Sequence, residues 1–162
     1  MGPHAGMRSI DCLMRDWVME KILIVDDNKD LRRLLHIALG EGKYQLLEAD
    51  HGELAIEVAE REKPDVILLD VMMPGMDGFE VCKRLRANPA LYKSFIIMLT
   101  SLDQFGDHET GVRAGADYYI TKPFSLSRLK TVIEKVRTGS ISAEEFFRQT
   151  INEDTSQQVG DG

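Results

Sequence analysis

Cysteine, proline and basic charge are all in short supply in this chain, and long apolar runs are missing altogether. The two cysteines, Cys12 and Cys82, make no disulfide framework and fit no zinc spacing, which points to a reducing cytosol. Four histidines (His4, His36, His51 and His108) are scattered without a partner at ligand spacing, so each reads as a surface or helix-face residue. Acids outnumber bases 27 to 20, for a net charge of −7. That balance argues against direct binding to nucleic acid, which rests on clustered Lys and Arg. No apolar run approaches the roughly 20 residues that span a bilayer. Asp11, Arg15 and Asp16 interrupt the N-terminal stretch, where a signal peptide would need a continuous apolar centre. The expected location is cytoplasmic, with no membrane contact.

At 162 residues the chain has the size of one ordinary domain and needs no staples to hold a core. Residues 1–18 read as a leader or extension, since Met19 stands directly before the first strong strand. From Lys21 onward, brief apolar runs alternate with helical patterns. The expected strands are 22–25, 44–49, 66–69, 95–99 and 118–120. Three of them, 22–25, 66–69 and 95–99, are apolar at every position, so helices should cover both faces of the sheet. Leu31, Leu34, Leu35, Ala38 and Leu39 recur at helical spacing. A second helix carries Leu54, Ala55, Val58 and Ala59. Further helices are expected over 77–87, 104–114 and 126–136, the last closed by Gly139. The result is an α/β fold, a doubly wound sheet of five parallel strands with five helices over residues 19–138. Beyond that, residues 139–162 read as a short helix opened by the Ser142-Ala143-Glu144-Glu145 capping box, then a polar tail.

Ligands of an open parallel sheet gather at the carboxyl ends of its strands. The first strand ends in Asp26-Asp27, the third in Asp70 and the fourth in Thr100-Ser101, while Lys122-Pro123 follows the fifth. The opposite rim receives nothing distinctive. Three carboxylates in one cleft repel each other unless a cation intervenes. Oxygen ligands select a hard ion, and Mg²⁺ is the one that also binds phosphate. A lysine can neutralise one carboxylate and later pair with a phosphoryl oxygen. A carboxylate is itself a phosphoryl acceptor. Singly, each residue has a plainer reading: Asp26, Asp27 or Asn28 as a helix cap, Thr100 as another, Lys122 as a solvated charge. Their convergence at the ends of four strands favours phosphoryl transfer to an aspartate.

The segments ILIVDDN, PDVILLDVMMPGMDGFEV, IIMLTS and GADYYITKPF resemble the signatures of bacterial response-regulator receiver domains, chemotaxis-receiver-like proteins of flavodoxin-like fold with strand order 2-1-3-4-5. The resemblance covers residues 20–138. It implies that Asp70 is the phosphoacceptor, and that Asp27, Asp70 and the Met72 backbone carbonyl bind Mg²⁺, with Asp26 helping through water. Thr100 and Lys122 would hold the phosphoryl oxygens, Lys122-Pro123 would be a cis peptide, and Tyr119 would be the aromatic switch. The new charge would draw Thr100 toward Asp70, and Tyr119 would move in from outside. The surface of the 104–114 helix, the fifth strand and the 126–136 helix would then change. The plainer reading of Tyr119 is an aromatic packed on a strand, with Tyr118 facing the other way. Met72 and Leu102 would flank the hydrolytic water, and as apolar residues neither orients it, which implies slow self-dephosphorylation. Cys82 reads as core, and Met72, Met73 and Met76 as loop packing.

The implied partners are a sensor histidine kinase or phosphotransfer protein upstream and a protein target downstream, with dimerisation on phosphorylation as an option. Either a stand-alone receiver or part of a longer regulator fits the sequence. Two rivals remain: a pseudo-receiver interaction module, and an aspartate-dependent phosphohydrolase. The latter usually carries a second Asp where this chain has Met72. Neither G-x-x-x-x-G-K nor G-x-G-x-x-G occurs, which weakens a nucleotide or flavin binder.

Overall fold

The computed structural model of the chain describes residues 20–41, 43–101 and 114–140. They form β1 (Glu20–Val25), α1 (Lys29–Leu39), β2 (Tyr44–Ala49), α2 (Gly52–Glu62), β3 (Val66–Asp70), α3 (Gly78–Ala87), a 3₁₀ turn (Pro89–Leu91), β4 (Phe95–Ser101), β5 (Tyr118–Lys122) and α4 (Leu126–Thr138). The proposed leader, Leu102, the expected 104–114 helix apart from Ala114, and the short helix from Ser142 lie outside the described residues.

All strand pairs are parallel, in the order β2-β1-β3-β4-β5. Alternation along the central strands splits the core into two layers. Leu23, Val25, Ile67, Leu69, Ile96, Met98 and Tyr119 pack with Ala55, Val58, Val81, Cys82 and Leu85 of α2 and α3. Ile22, Ile24, Val66, Leu68, Ile97, Leu99 and Tyr118 pack with Leu35 and Leu39 of α1 and Leu129, Val132 and Ile133 of α4. Helices on both faces are what the uniformly apolar strands required. Cys82 is buried, as expected of a core residue, and its thiol donates to the Ala114 carbonyl at 3.3 Å.

Local signals explain the helix starts. Asn28 accepts from the N–H groups of Asp30 and Leu31, Asp77 from Glu80, and Ser125 from Arg128. Each satisfies orphan donors of a first turn. At the far end of α4, Gly139 takes φ 65° and closes the helix, a left-handed position that suits glycine.

Three differences from the sequence reading have physical causes. First, β3, β4 and β5 continue through polar residues to Asp70, Ser101 and Lys122, because ladder pairing involves the backbone and is indifferent to side-chain polarity. Second, Leu34, read as part of the apolar stripe of α1, is 48% exposed. The apolar arc of α1 is wider than the stripe that one sheet face can cover, so its margin stays in water. Third, the rim opposite the carboxyl ends is not blank. There Arg86 donates to the carbonyls of Gly115 and Ser94 at 2.8 Å and pairs with Asp117. Asp117 also accepts from the Ile96 N–H. This node ties α3 to the entries of β4 and β5, and it needs residues that sequence spacing does not associate.

Candidate functional site

The acidic residues meet because β1 and β3 are neighbours ending at the same level. Val25 pairs with Leu69, so Asp26 and Asp70 emerge side by side. Both are nearly buried, at 1% and 5% exposure, while Asp27 is exposed at the bend into α1. One carboxylate oxygen from each of Asp26, Asp27 and Asp70 lies within 4.8 Å of the other two. Asn28 serves as the α1 cap, so Asp26 and Asp27 are free of the capping role they were allowed.

Lys122 comes from two strands away. Strand spacing puts β5 about 10 Å from β3, a gap that a lysine side chain largely bridges. Its ammonium donates to Asp26 Oδ2 at 3.0 Å and Asp70 Oδ1 at 3.1 Å. The solvated-charge reading of Lys122 therefore fails. The Lys122–Pro123 peptide is cis.

One ammonium cannot satisfy three carboxylates. Burial, and then the Asp26 charge, push the Asp70 carboxyl from 3.8 up to about 6, despite Lys122 and a Met72 N–H bond acting the other way. Burial alone would lower the Lys122 ammonium, but the hydrogen bond to Asp26 and the two acidic charges outweigh it and raise it. The two partners thus shift as members of an overcrowded set: the lysine gains from two anions, and Asp70 holds only a share of one cation. The unmet negative charge, carried by oxygen alone, fits a hard divalent cation.

Thr100 is buried on β4, one position beyond the Leu99 that pairs with Asp70. Its hydroxyl donates to the Ser101 carbonyl at 3.3 Å. Alternation puts Thr100 on the same face as Met98, whose partner on β5 is Tyr119; the two therefore share the α2–α3 side. Tyr118 packs in the opposite layer. Here Tyr119 is already inside, at 3% exposure among the α2–α3 core residues, rather than outside awaiting entry. Ala114 and Ala116 belong to the same layer. Met72 is 62% exposed beside Asp70, whereas Met73 is buried.

Two contributors escaped the sequence reading. Gly78 opens α3 so close to β3 that a Cβ there would lie 2.3 Å from the Asp70 carbonyl oxygen. Only the Gly-Met-Asp-Gly run hinted at it. Arg32 in α1 donates to the Asp26 carbonyl at 2.7 Å, and a basic residue within a polar helix face carries no signal of that contact. Among the described residues, no helix is long and apolar enough to cross a membrane.

Known proteins similar to this chain in sequence or fold are numerous. Residues 22–134 match the response regulator receiver domain family. The Bacillus subtilis alkaline phosphatase synthesis transcriptional regulatory protein PhoP is 42% identical over 129 residues, 77% of this chain and 53% of that protein. The response regulator PleD of Caulobacter vibrioides is 41% identical over 132 residues, 75% of this chain and 29% of that protein. The chain therefore spans about half or less of these curated relatives. Among solved structures, the Vibrio cholerae chemotaxis protein CheY4 superposes with a TM-score of 0.69 at 32% identity, covering 74% of this chain and 99% of that one. A signal receiver domain of a Syntrophus aciditrophicus signal transduction histidine kinase gives 0.69 at 33% identity, covering 74% and 91%. Fold, acidic rim and relatives agree: the chain belongs to the response-regulator receiver family of two-component signalling.

Proposed function

We propose that Asp70 accepts a phosphoryl group from the phosphohistidine of a sensor kinase or phosphotransfer protein, with Mg²⁺ held by Asp27, Asp70 and the Met72 carbonyl. Asp26 would assist through water. The observation that carries this reading is the shared lysine: one ammonium on two buried carboxylates, beside a third, leaves negative charge that a dication would neutralise, so that Asp70 can take on a further anionic group. In this chemistry the ion supplies charge neutralisation at the phosphoryl oxygens.

The chain's own residues do the rest. A carboxylate oxygen of Asp70 attacks phosphorus, the P–N bond to the donor histidine breaks, and the imidazole nitrogen keeps the electron pair. Lys122 exchanges its bond to Asp70 for one to a phosphoryl oxygen. The Thr100 hydroxyl gives up the Ser101 carbonyl and donates to another. Thr100 and Tyr119 share a face, so movement of the hydroxyl reaches the ring and the β5–α4 surface that a protein target or second receiver reads. With Tyr119 already packed inside, the switch consists of fixing that arrangement rather than creating it. A reducing, cytoplasmic setting suits the buried free thiol of Cys82.

Intact-protein mass after incubation with acetyl phosphate, with and without Mg²⁺, tests the reading. A Mg²⁺-dependent gain of one phosphoryl group, absent in Asp70→Asn, is expected. A folded wild-type protein that gains nothing would instead be a pseudo-receiver acting by binding alone.

A further inference from the structure

The β1–β2 ladder closes with the Val25–Ala49 pair and the Asp26 N–H bond to the Ala49 carbonyl. The Asp26 carbonyl lies past that ladder in a buried residue, and buried carbonyls need donors. Arg32 supplies one. Its Nη1 donates at 2.7 Å from within α1, while its Nε faces Glu48 Oε1 of β2 at 3.9 Å. The side chain is 15% exposed, so the guanidinium is packed rather than waving in solvent. Asp26 Oδ1 also accepts from the Asn28 N–H at 2.9 Å. The bend holding two of the three acidic residues is thus gripped at its carbonyl by Arg32 and at its carboxylate by the Asn28 amide.

We propose that Arg32 is a positioning residue for the metal site. It clamps the Asp26–Asp27 bend so that both carboxylates face Asp70, and it acts through its hydrogen bond rather than its charge. The proposal rests on the Mg²⁺ reading above. Bond and charge pull in opposite directions here. A cation beside a cation site repels Mg²⁺, so removing the charge alone tightens binding. Loss of the clamp lets the bend relax and loosens it.

Two variants separate the effects. Arg32→Met keeps the apolar stem and loses donor and charge together, whereas Arg32→Lys keeps a charged donor of nearly the same reach. Mg²⁺ affinity of the full chain is measured by titration calorimetry, with circular dichroism as the check on folding. Arg32→Met is expected to bind Mg²⁺ at least about tenfold more weakly, the low end of what supporting hydrogen bonds around metal sites contribute. Arg32→Lys is expected to bind about as tightly as wild type. Arg32→Met binding equal to or tighter than wild type overturns the proposal, as does an Arg32→Lys that falls as far as Arg32→Met. An Arg32→Met chain that does not fold overturns it too, because the residue is then a structural one. If wild type itself shows no Mg²⁺ binding, the metal reading fails first and takes this inference with it.

Discussion

At the residue scale, the decisive feature is a shortage of positive charge. Asp70 keeps its proton to about pH 6 because it is buried and faces Asp26. The folded state therefore binds more protons than the unfolded state between 3.8 and about 6. This contribution to stability is full at low pH and is lost as pH rises through about 6. Asp117 and Glu20 are also raised, chiefly by burial, so the useful quantity is the difference between wild type and Asp70→Asn. Without metal, Asp70→Asn is expected to melt a few degrees above wild type at pH 7.5, and the gap should shrink toward pH 4.5. Thermal melts in EDTA across that range check it; a constant gap would show that Asp70 does not titrate there. Met72 carries a second prediction. Its thioether is exposed two residues beyond Asp70, a position that the family resemblance would put beside the hydrolytic water, so Met72→Asn is expected to speed loss of the aspartyl phosphate several-fold. A time course of phosphoprotein mass measures this, and an unchanged lifetime would remove Met72 from any role in protecting the phosphoryl group.

At the element scale, the site depends on where helices begin. The starts themselves were legible to within a residue, at 77 and 126, and Asn28 was one of three candidate caps. Asp77 and Ser125, however, are identified as caps by their bonds in the structure. Gly139 closes α4 as its position suggested. The near-contact of α3 with β3 was not legible. Gly78 donates its N–H to the Val71 carbonyl at 2.9 Å, and an added methyl group would press on the Asp70 and Val71 backbone. Helix propensity alone favours Ala over Gly by about 1 kcal/mol, but this clash reverses the sign. Gly78→Ala is expected to cost about 1–3 kcal/mol, the usual range for overpacking, and to slow phosphorylation by displacing Asp70. Urea denaturation and the acetyl phosphate reaction read the two effects. A more stable Gly78→Ala protein would mean that α3 shifts freely. The unforeseen exposure of Leu34 has the same origin: helical spacing reports which residues are apolar, while the helix's seat on the sheet decides how many are covered.

At the scale of the whole molecule, strand order turns separate residues into one site. Metal binding to the native rim alone should stabilise the fold by mass action, about 2.7 kcal/mol at a hundredfold excess over the dissociation constant. Mg²⁺ is therefore expected to raise the melting temperature of wild type by several degrees at pH 7.5 and to do much less for Asp27→Asn. Calorimetric melts test it, and equal shifts in both proteins would place the ion elsewhere. The sequence by itself determined the alternation of strands and helices, the burial of the sheet on both faces and the rim on which chemistry collects. Those follow from local periodicity, turn residues and the rule that parallel strands end together. Tertiary structure alone decided that Lys122 reaches across β4 to two carboxylates at once, that Tyr119 lies inside, and that Arg32, Gly78 and the Arg86–Asp117 node brace the two rims. Each of these depends on distances between segments remote in sequence, set by packing of the layers, and no local pattern encodes them.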